Sequence, residues 1–325
     1  MTDLIDLASE RLGGTVITAN DEFFGPKERL ILHAPAVWRE GEYTDRGKWM
    51  DGWETRRRRD VLPGDPAFEF AGDWCIVQLG TRGLIRSVDV DTTHFKGNYP
   101  DSCTLEACVA PDATTLYDFH RANWQTALAR TPMRGDWHNV HEVAGVEATH
   151  VRLKIFPDGG VARLRVYGDV LPDWASLRGK REIDVAAILH GGRVVDCSDM
   201  FFGSRNNLIM PGPPRGMADG WETRRRRSAV HDWTIVQLGV PASISRVDVD
   251  TRYFRGNAPA ACSLDACTSD TPGDWLELLP RTPLAADRLH TFDVSLKRIA
   301  DVTYVRLNIF PDGGVARLHV FSTLG

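Results

Sequence analysis

The sequence lacks the features that mark several large functional classes. Its 39 lysines and arginines are outnumbered by 44 aspartates and glutamates, so the net charge of -5 offers no basic field for nucleic acid. No stretch approaches the roughly 20 apolar residues of a membrane span, and the N-terminus has no signal-peptide pattern. These absences predict a cytoplasmic protein with neither a nucleic-acid partner nor a membrane partner.

Common catalytic and cofactor motifs are absent as well. The chain contains no GxSxG, HExxH, P-loop or Rossmann signature. Its cysteine pairs, Cys103 with Cys108 and Cys262 with Cys267, lack zinc-site spacing, and five positions along a strand place two sulfurs on opposite faces. We therefore predict reduced cysteines, no metal site and no cofactor, although the motifs leave a dependence on a divalent metal open.

What the chain does contain is an internal duplication. Three long motifs occur twice, in the same order in both halves. They are DGWETRRRR at 51–59 and 219–227, VDVDTTHFKGN at 88–98 with VDVDTRYFRGN at 247–257, and IFPDGGVARL at 155–164 and 309–318. Repeats of this length indicate two copies of a whole domain, and 325 residues suffice for two independent cores. We predict domains at residues 1–170 and 181–325, with a linker at 169–180.

Period-two alternation predicts that both domains are β. Val88 and Val90 alternate with Asp89 and Asp91, and the second half repeats the pattern at 247–250. Such short runs, separated by Gly, Pro, Asn and Asp clusters, are typical of antiparallel strands with one solvated face. Helical patterns are few. The predicted fold class is all-β, with two tandem homologous sandwiches of the jelly-roll type.

The spacing of the repeats also predicts an insertion in the first domain. The offset between matching residues falls from 168 at DGWETRRRR to 159 at GDWCIVQLG, which aligns with HDWTIVQLG. The first domain therefore has nine extra residues within 60–71, and surface loops tolerate such insertions. We expect this loop to shape one pocket and not the other.

The DGWETRRRR motif combines a carboxylate with guanidinium groups. If it is extended, Glu54, Arg56 and Arg58 share one face of the strand. Arginine binds carboxylates through two parallel hydrogen bonds, and a neighbouring glutamate can transfer protons. A solvated ion-pair surface is the alternative, but the survival of all nine residues in both copies favours a site.

Two loops supply further candidate residues. His94 and Asn98 lie where an alternating strand ends, and His94 has the residue type of a general base near neutral pH. The second copy has Tyr253 at that position, so a catalytic His94 would make the two sites unequal; a loop histidine without a role is the alternative. Asp158 and Arg163 flank a Gly-Gly turn, and they indicate either a hairpin connector or a polar cluster.

Together the three doubled motifs resemble those of the allantoicase family. The resemblance extends from Ile17 to Phe321, with every motif in order in both halves. It implies two galactose-binding-like jelly rolls and an amidinohydrolase that converts allantoate and water to ureidoglycolate and urea in purine and allantoin degradation. Periodicity and composition by themselves indicate only a duplicated sandwich carrying arginine and acid clusters.

The implied substrate gives the candidate residues expected roles. Allantoate carries one carboxylate and two ureido groups on a single carbon, so its enzyme needs cationic donors, hydrogen-bond acceptors and a proton-transfer group. We expect the first domain to use Arg56 and Arg58 for the carboxylate, Glu54 and His94 for catalysis, and Asn98, Asp158 and Arg163 for substrate binding. The expected counterparts in the second domain are Glu222, Arg224, Arg226, Asn257, Asp312 and Arg317.

The sequence leaves several alternatives open. The chain can have two sites, one site with a degenerate twin, or one composite site. A non-enzymatic tandem module that binds small anions or carbohydrates is the competing function. The oligomeric state is open too, with a homo-oligomer among the expected arrangements.

Overall fold

The structure, a computed structural model, describes residues 4–58, 72–177, 179–227 and 230–323. The chain divides into two compact units, Met1–Leu171 and Pro172–Gly325. Arg59 and the insertion expected within 60–71 lie outside the described residues. No helix among the described residues is long and apolar enough to cross a membrane.

The first unit is built almost entirely of strands. They are β1 (Ile5–Asp6), β2 (Thr15–Ala19), β3 (Tyr43–Thr44), β4 (Gly47–Lys48), β5 (Trp53–Glu54), β6 (Asp73–Asp91), β7 (Ser102–Cys108), β8 (Gln125–Pro132), β9 (His138–Phe156), β10 (Gly160–Val161) and β11 (Arg163–Val170). One short helix, α1 (Leu116–Arg121), follows β7, and two 3-10 turns lie at Glu10–Leu12 and Lys27–Ile31.

Two long strands connect both layers of the first sandwich. The strands β6 and β9 pair with each other along their length, with a register shift between Gln78 and Gly83. Before the shift, β6 pairs with β2; after it, β6 pairs with β11. One layer is therefore β2-β6-β9-β7-β8, and the other is β1-β11-β6-β9.

The second unit repeats this arrangement with the long strands divided. Its strands are β12 (Ile183–Asp184), β13 (Arg193–Cys197), β14 (Trp221–Glu222), β15 (Asp232–Ala242), β16 (Ile244–Asp250), β17 (Ala261–Cys267), β18 (Leu276–Pro283), β19 (Leu289–Phe292), β20 (Val302–Phe310), β21 (Gly314–Val315) and β22 (Arg317–Ser322). The layers are β13-β15-β20-β17-β18 and β12-β22-β16-β19. A helix, α2 (Trp174–Leu177), and 3-10 turns at Ile188–His190, Arg205–Ile209 and Met217–Asp219 complete it.

The core of each sandwich consists of the inward residues of the alternating strands. In the first unit, Leu105 and Leu153 from one layer pack in the same buried cluster as Val88 and Val166 from the other. Burial of such side chains stabilises a fold by roughly 1.5–3 kcal/mol each. The predicted all-β fold of two tandem sandwiches is confirmed.

A two-stranded ribbon in each unit positions the DGWE residues. The strand β5 pairs with β10, so that Glu54 opposes Gly160, and β14 pairs in the same way with β21. Trp53 is fully buried and donates from Nε1 to the Asp21 carbonyl at 2.7 Å. Because neighbouring residues on a strand point to opposite faces, this anchor directs Glu54 away from the core.

Candidate active site

The site is organised around a glutamate and an asparagine from two of the repeated motifs. Asn98 Nδ2 donates to Glu54 Oε1 at 2.6 Å, and Asn257 Nδ2 donates to Glu222 Oε1 at 2.5 Å. Neither pair makes a further side-chain hydrogen bond within the part of the chain that the structure describes. Each pair therefore has a carboxylate oxygen and an amide oxygen available to a ligand.

The third motif brings an aspartate to the same place. Asp158 is buried, and its Oδ2 accepts a hydrogen bond from the Arg58 backbone N–H at 2.8 Å. In the second unit, Asp312 Oδ2 accepts from the Arg226 backbone N–H at 2.6 Å. The loop that follows Glu54 is thus tied to the PDGG turn, and the predicted Glu, Asn and Asp lie in one region of each unit.

The side chains of Arg58 and Arg226 bind buried aspartates. Arg58 Nη1 lies 3.2 Å from Asp73 Oδ1, and Arg226 Nε lies 2.6 Å from Asp232 Oδ1. The hydrogen bond that Arg226 donates to Asp232 raises the pKa of Arg226. Both guanidinium groups are therefore charged and partly neutralised before any ligand binds.

Arg57, which lies between Arg56 and Arg58, was missed by the sequence reasoning. Regular strand structure ends at Glu54 and at Glu222, so the alternation assumed for DGWETRRRR does not continue and the predicted strand phase is wrong. Arg57 Nη1 binds Asp158 Oδ1 at 3.0 Å and Arg57 Nη2 donates to the Gly97 carbonyl at 3.3 Å. Survival of Arg57 as Arg225 in the repeat was the available signal.

In the second unit these residues line a cleft of about 450 Å³. Its polar lining includes Glu222, Arg225, Arg226, Asn257 and Asp312, and Phe202 forms an aromatic edge. The Arg225 guanidinium has no hydrogen bond or ion pair to any described residue, in contrast to Arg57. A concave volume of this size with a few convergent polar groups is typical of a small-molecule site.

Burial changes the acidity of the first glutamate. Desolvation raises the pKa of Glu54 above its usual range, while the Asn98 hydrogen bond and the Arg57 charge oppose this effect. Burial disfavours the charged form of a carboxyl group, and a carboxyl with a raised pKa suits proton donation near neutral pH. Burial and the Asn98 hydrogen bond therefore act in opposite directions on the pKa of Glu54, and burial is the larger effect.

Arg56 and Arg224 lie apart from this cluster. Arg56 Nε binds Asp21 Oδ2 at 2.6 Å, and Arg224 Nε binds Asp199 Oδ2 at 3.2 Å. Both side chains are largely exposed, and Arg224 is not among the residues that line the cleft of the second unit. The structure does not bring these two arginines together with the Glu and Asn pair.

The predicted substrate contact of Arg163 and Arg317 is corrected by the structure. Both side chains are only 2% exposed. Arg163 Nη2 binds Asp51 Oδ2 at 2.8 Å, and Arg317 Nη2 binds Asp219 Oδ2 at 2.8 Å. Their remaining donors bind backbone carbonyls, including the Ala34 carbonyl, so these arginines hold the DGWE segment in place instead of facing a ligand.

His94 faces a different part of the first unit. Its Nε2 lies 3.3 Å from the Ala36 carbonyl and its ring packs against Trp38. The residue has a φ of 73°, and Tyr253 has a φ of 72° at the equivalent position. The shared feature is thus a left-handed turn before Asn98 and Asn257, and a catalytic role for His94 stays a prediction.

No group of three or more histidine, cysteine, aspartate and glutamate side chains within the described ranges is arranged to hold a metal ion.

The motifs and fold of both units match one protein family. The allantoicase repeat family model matches residues 5–171 and again residues 183–325. The chain belongs to the allantoicase family, and the resemblance identified from the doubled motifs is confirmed.

Individual relatives agree with this assignment. A probable allantoicase of Photobacterium profundum is 43% identical over 328 residues, covering 98% of this chain and 96% of the relative. A probable allantoicase of Pseudomonas fluorescens is also 43% identical, over 333 residues, with the same coverage. The crystal structure of allantoicase from Saccharomyces cerevisiae superposes with a TM-score of 0.82 at 32% identity, covering 98% of this chain and 93% of that one.

Proposed function

We propose that this protein is a hydrolase that converts allantoate and water to ureidoglycolate and urea, acting as an amidinohydrolase of allantoin and purine degradation. The observation that carries the proposal is the cluster of Glu, Asn, Arg and Asp side chains, present in both units of a chain that belongs to the allantoicase family. Each member of that cluster matches a chemical need of the reaction.

The substrate carboxylate is assigned to the exposed arginine of the cluster. Arg225 lines the cleft with its guanidinium unpaired among the described residues. Arginine binds a carboxylate through two parallel charge-assisted hydrogen bonds, which fix orientation as well as position. Arg226, held by Asp232, adds positive charge behind it. In the first unit, Arg57 has the equivalent role, and its ion pair with Asp158 is replaced by one with the substrate carboxylate.

Proton transfer is assigned to the glutamate. In the reaction, the bond between the central carbon and one ureido nitrogen breaks, the departing nitrogen takes a proton, and the hydroxyl of a water molecule adds to the carbon. A carboxylic acid can give the proton and its carboxylate can then receive one from the attacking water. The raised pKa of Glu54 supports the first half of this cycle.

The ureido groups are assigned to the amide and carboxylate acceptors of the loops. Asn98 and Asn257 each use one N–H on their glutamate, which leaves an amide oxygen and a second N–H for a ureido group. Asp312 supplies a further acceptor at the cleft. Polar groups fixed by other hydrogen bonds bind a ligand at a lower entropic cost.

The test is direct hydrolysis. Purified full-length protein is incubated with allantoate, and urea and ureidoglycolate are measured over time, with and without a chelator. We expect one urea for each allantoate consumed, and loss of release in the double variant Glu54→Gln, Glu222→Gln. Binding of allantoate without urea release, in both chelated and metal-supplemented protein, would favour a non-enzymatic anion-binding module. Self-association and a cytoplasmic location stay predictions.

A further inference from the structure

The two units differ in the segment that precedes the DGWE motif. Asp51 follows Ile31 by twenty positions, whereas the equivalent Asp219 follows Ile209 by ten. The first unit therefore has ten extra residues here, a second insertion that is separate from the one within 60–71. We call residues 34–50 the insert; it contains the β3–β4 hairpin and is described throughout.

The hairpin of the insert packs on the aromatic edge of the first site. Arg46 Nη1 donates to the Phe23 carbonyl at 3.1 Å, and the Arg46 guanidinium lies 5.3 Å from the Phe23 ring centre. Gly47 lies against Phe24, because a Cβ added there would be 3.5 Å from the ring. Phe24 is half-buried, whereas its counterpart Phe202 lines the second cleft and is 62% exposed.

The beginning of the insert contacts the ring of His94, in the loop that leads to Asn98. The Ala36 carbonyl lies 3.3 Å from His94 Nε2, and Trp38 packs on the same ring with centroids 5.7 Å apart. His94 belongs to the loop that carries Asn98. The insert therefore touches both the aromatic edge and the Asn98 loop of the first site, and the equivalent connection in the second unit is ten residues shorter.

The charged groups differ between the two units in a related way. In the first unit, Arg57 is paired with Asp158, and Glu54 is desolvated. In the second unit, Arg225 lines an open cleft and has no partner among the residues that the structure describes. An unpaired cation favours capture of an anion, whereas a desolvated carboxyl favours proton donation.

From these differences we propose that the two sites have different roles: the site of the first unit, which the insert borders at Phe24 and at the Asn98 loop, carries turnover, and the cleft of the second unit is an open binding site for the same class of small ureido carboxylate. This inference rests on the proposed allantoate hydrolysis. Covering a site excludes water and strengthens every electrostatic interaction inside it. The insert provides part of such a cover, over Phe24, in the first unit only, while the Arg57 side chain stays 60% exposed.

Matched glutamate variants compare the two clefts. In the full-length protein, Glu54→Gln and Glu222→Gln make the same change in each unit, and kcat for urea release is measured for both. We expect kcat of Glu54→Gln to be at least tenfold lower than that of Glu222→Gln. Equal losses, or a larger loss in Glu222→Gln, overturn the division of roles.

The insert can be replaced by the shorter equivalent connection of the second unit. Residues 32–50 are replaced by residues 210–218, which gives the first unit the short connection of the second. We expect kcat to fall at least tenfold, and unchanged kcat in a folded variant overturns the role of the insert.

Arg46→Ala is the smaller change if the exchange does not fold. It should lower kcat/KM about threefold to tenfold, because cation–π and hydrogen-bond contacts of this kind are individually modest. Asp45→Ala, at an exposed neighbouring position, is its control and should stay within twofold of wild type, so equal effects of the two changes overturn the role of the hairpin.

Binding stoichiometry tests the second cleft independently of turnover. Titration of the Glu54→Gln protein with allantoate should show two sites per chain, and adding Arg225→Ala should remove one. A single site before the second change, or two sites after it, overturns the assignment of the second cleft. Absence of urea release by the wild-type protein is a different result, because it contradicts the proposed hydrolysis while the titration still reports on both clefts.

Discussion

Asn98 and Glu54 are separated by 44 positions in the sequence but are joined by a hydrogen bond of 2.6 Å. The second unit repeats this pair with Asn257 and Glu222 at 2.5 Å. A donor N–H to a carboxylate favours its charged form and lowers its pKa, which opposes the effect of burial. The asparagine therefore adjusts the acidity of the glutamate as well as fixing its position.

Removal of this donor should change the pH dependence of the reaction. In Asn98→Ala, the pKa of Glu54 rises further because one opposing interaction is lost. A general acid acts while it is protonated, so the decrease of kcat at high pH should move to higher pH. We also expect kcat to fall by about tenfold through loss of positioning, within the range of general acid catalysis. The measurement is a pH–rate profile of urea release.

Asn206→Ala is a suitable control for this prediction, because Asn206 is exposed and lies outside the cleft lining. It should leave the profile unchanged. A movement of the alkaline limb to lower pH in Asn98→Ala would contradict the assignment of Glu54 as the acid.

The repetition of three motifs in both halves predicted that these motifs form one site, but it did not predict which of their side chains face that site. Glu54, Asn98 and Asp158 belong to three different repeated motifs, and the structure brings them together. The face of Arg57 could not be predicted from period-two alternation, because β5 is only two residues long. Strand phase applies only while a strand continues.

The role of Arg163 illustrates a second limit. Its partner Asp51 is 112 residues away and is the first residue of the DGWETRRRR motif. The sequence shows that both residues recur in the second half, but recurrence does not distinguish a buried ion pair from a ligand contact. Only their burial, at 2% for the Arg163 side chain, makes that distinction.

The buried Arg163 should matter for stability. Arg163→Met removes the partner of Asp51 and leaves that carboxylate unpaired, which costs about 3–5 kcal/mol for a buried ion pair. Arg56→Met breaks an ion pair whose arginine is 64% exposed, and should cost at most about 1 kcal/mol. Denaturant unfolding of the two variants gives the comparison. Similar midpoints, with catalysis lost only in Arg163→Met, would restore Arg163 as a substrate contact.

His138 should make the stability of the first unit depend on pH. Its Nδ1 lies 2.7 Å from Asp89 Oδ2, and this hydrogen bond raises the pKa of His138 above 6.5. Folding therefore favours the charged histidine, so the contribution is complete below the unfolded pKa of about 6.5 and is lost as pH rises through the folded pKa. His138→Asn should flatten the decrease in melting temperature above about pH 6.5.

The control for this prediction is His120→Asn, at an exposed position on α1. It should retain the wild-type dependence. Burial also raises the pKa of Asp89, so the comparison is confined to pH values above about 6, where ordinary carboxyl groups are charged. A His138→Asn protein with the same slope as wild type would show that the pair does not contribute.

Gly160 should be intolerant of any side chain, because the Phe95 ring packs directly against its Cα. A Cβ added at Gly160 would lie 2.0 Å from the Phe95 ring, whereas one added at Gly97 meets nothing within 4 Å. Overpacking of this kind costs about 1–3 kcal/mol, so Gly160→Ala should lower the melting temperature and Gly97→Ala should not.

Since Gly160 opposes Glu54 across the β5–β10 pair, a displaced β10 should also weaken the contact between Glu54 and Asn98 and lower kcat. Adding Phe95→Leu should restore part of both quantities, and failure of Gly160→Ala to differ from Gly97→Ala in either measurement would refute this explanation.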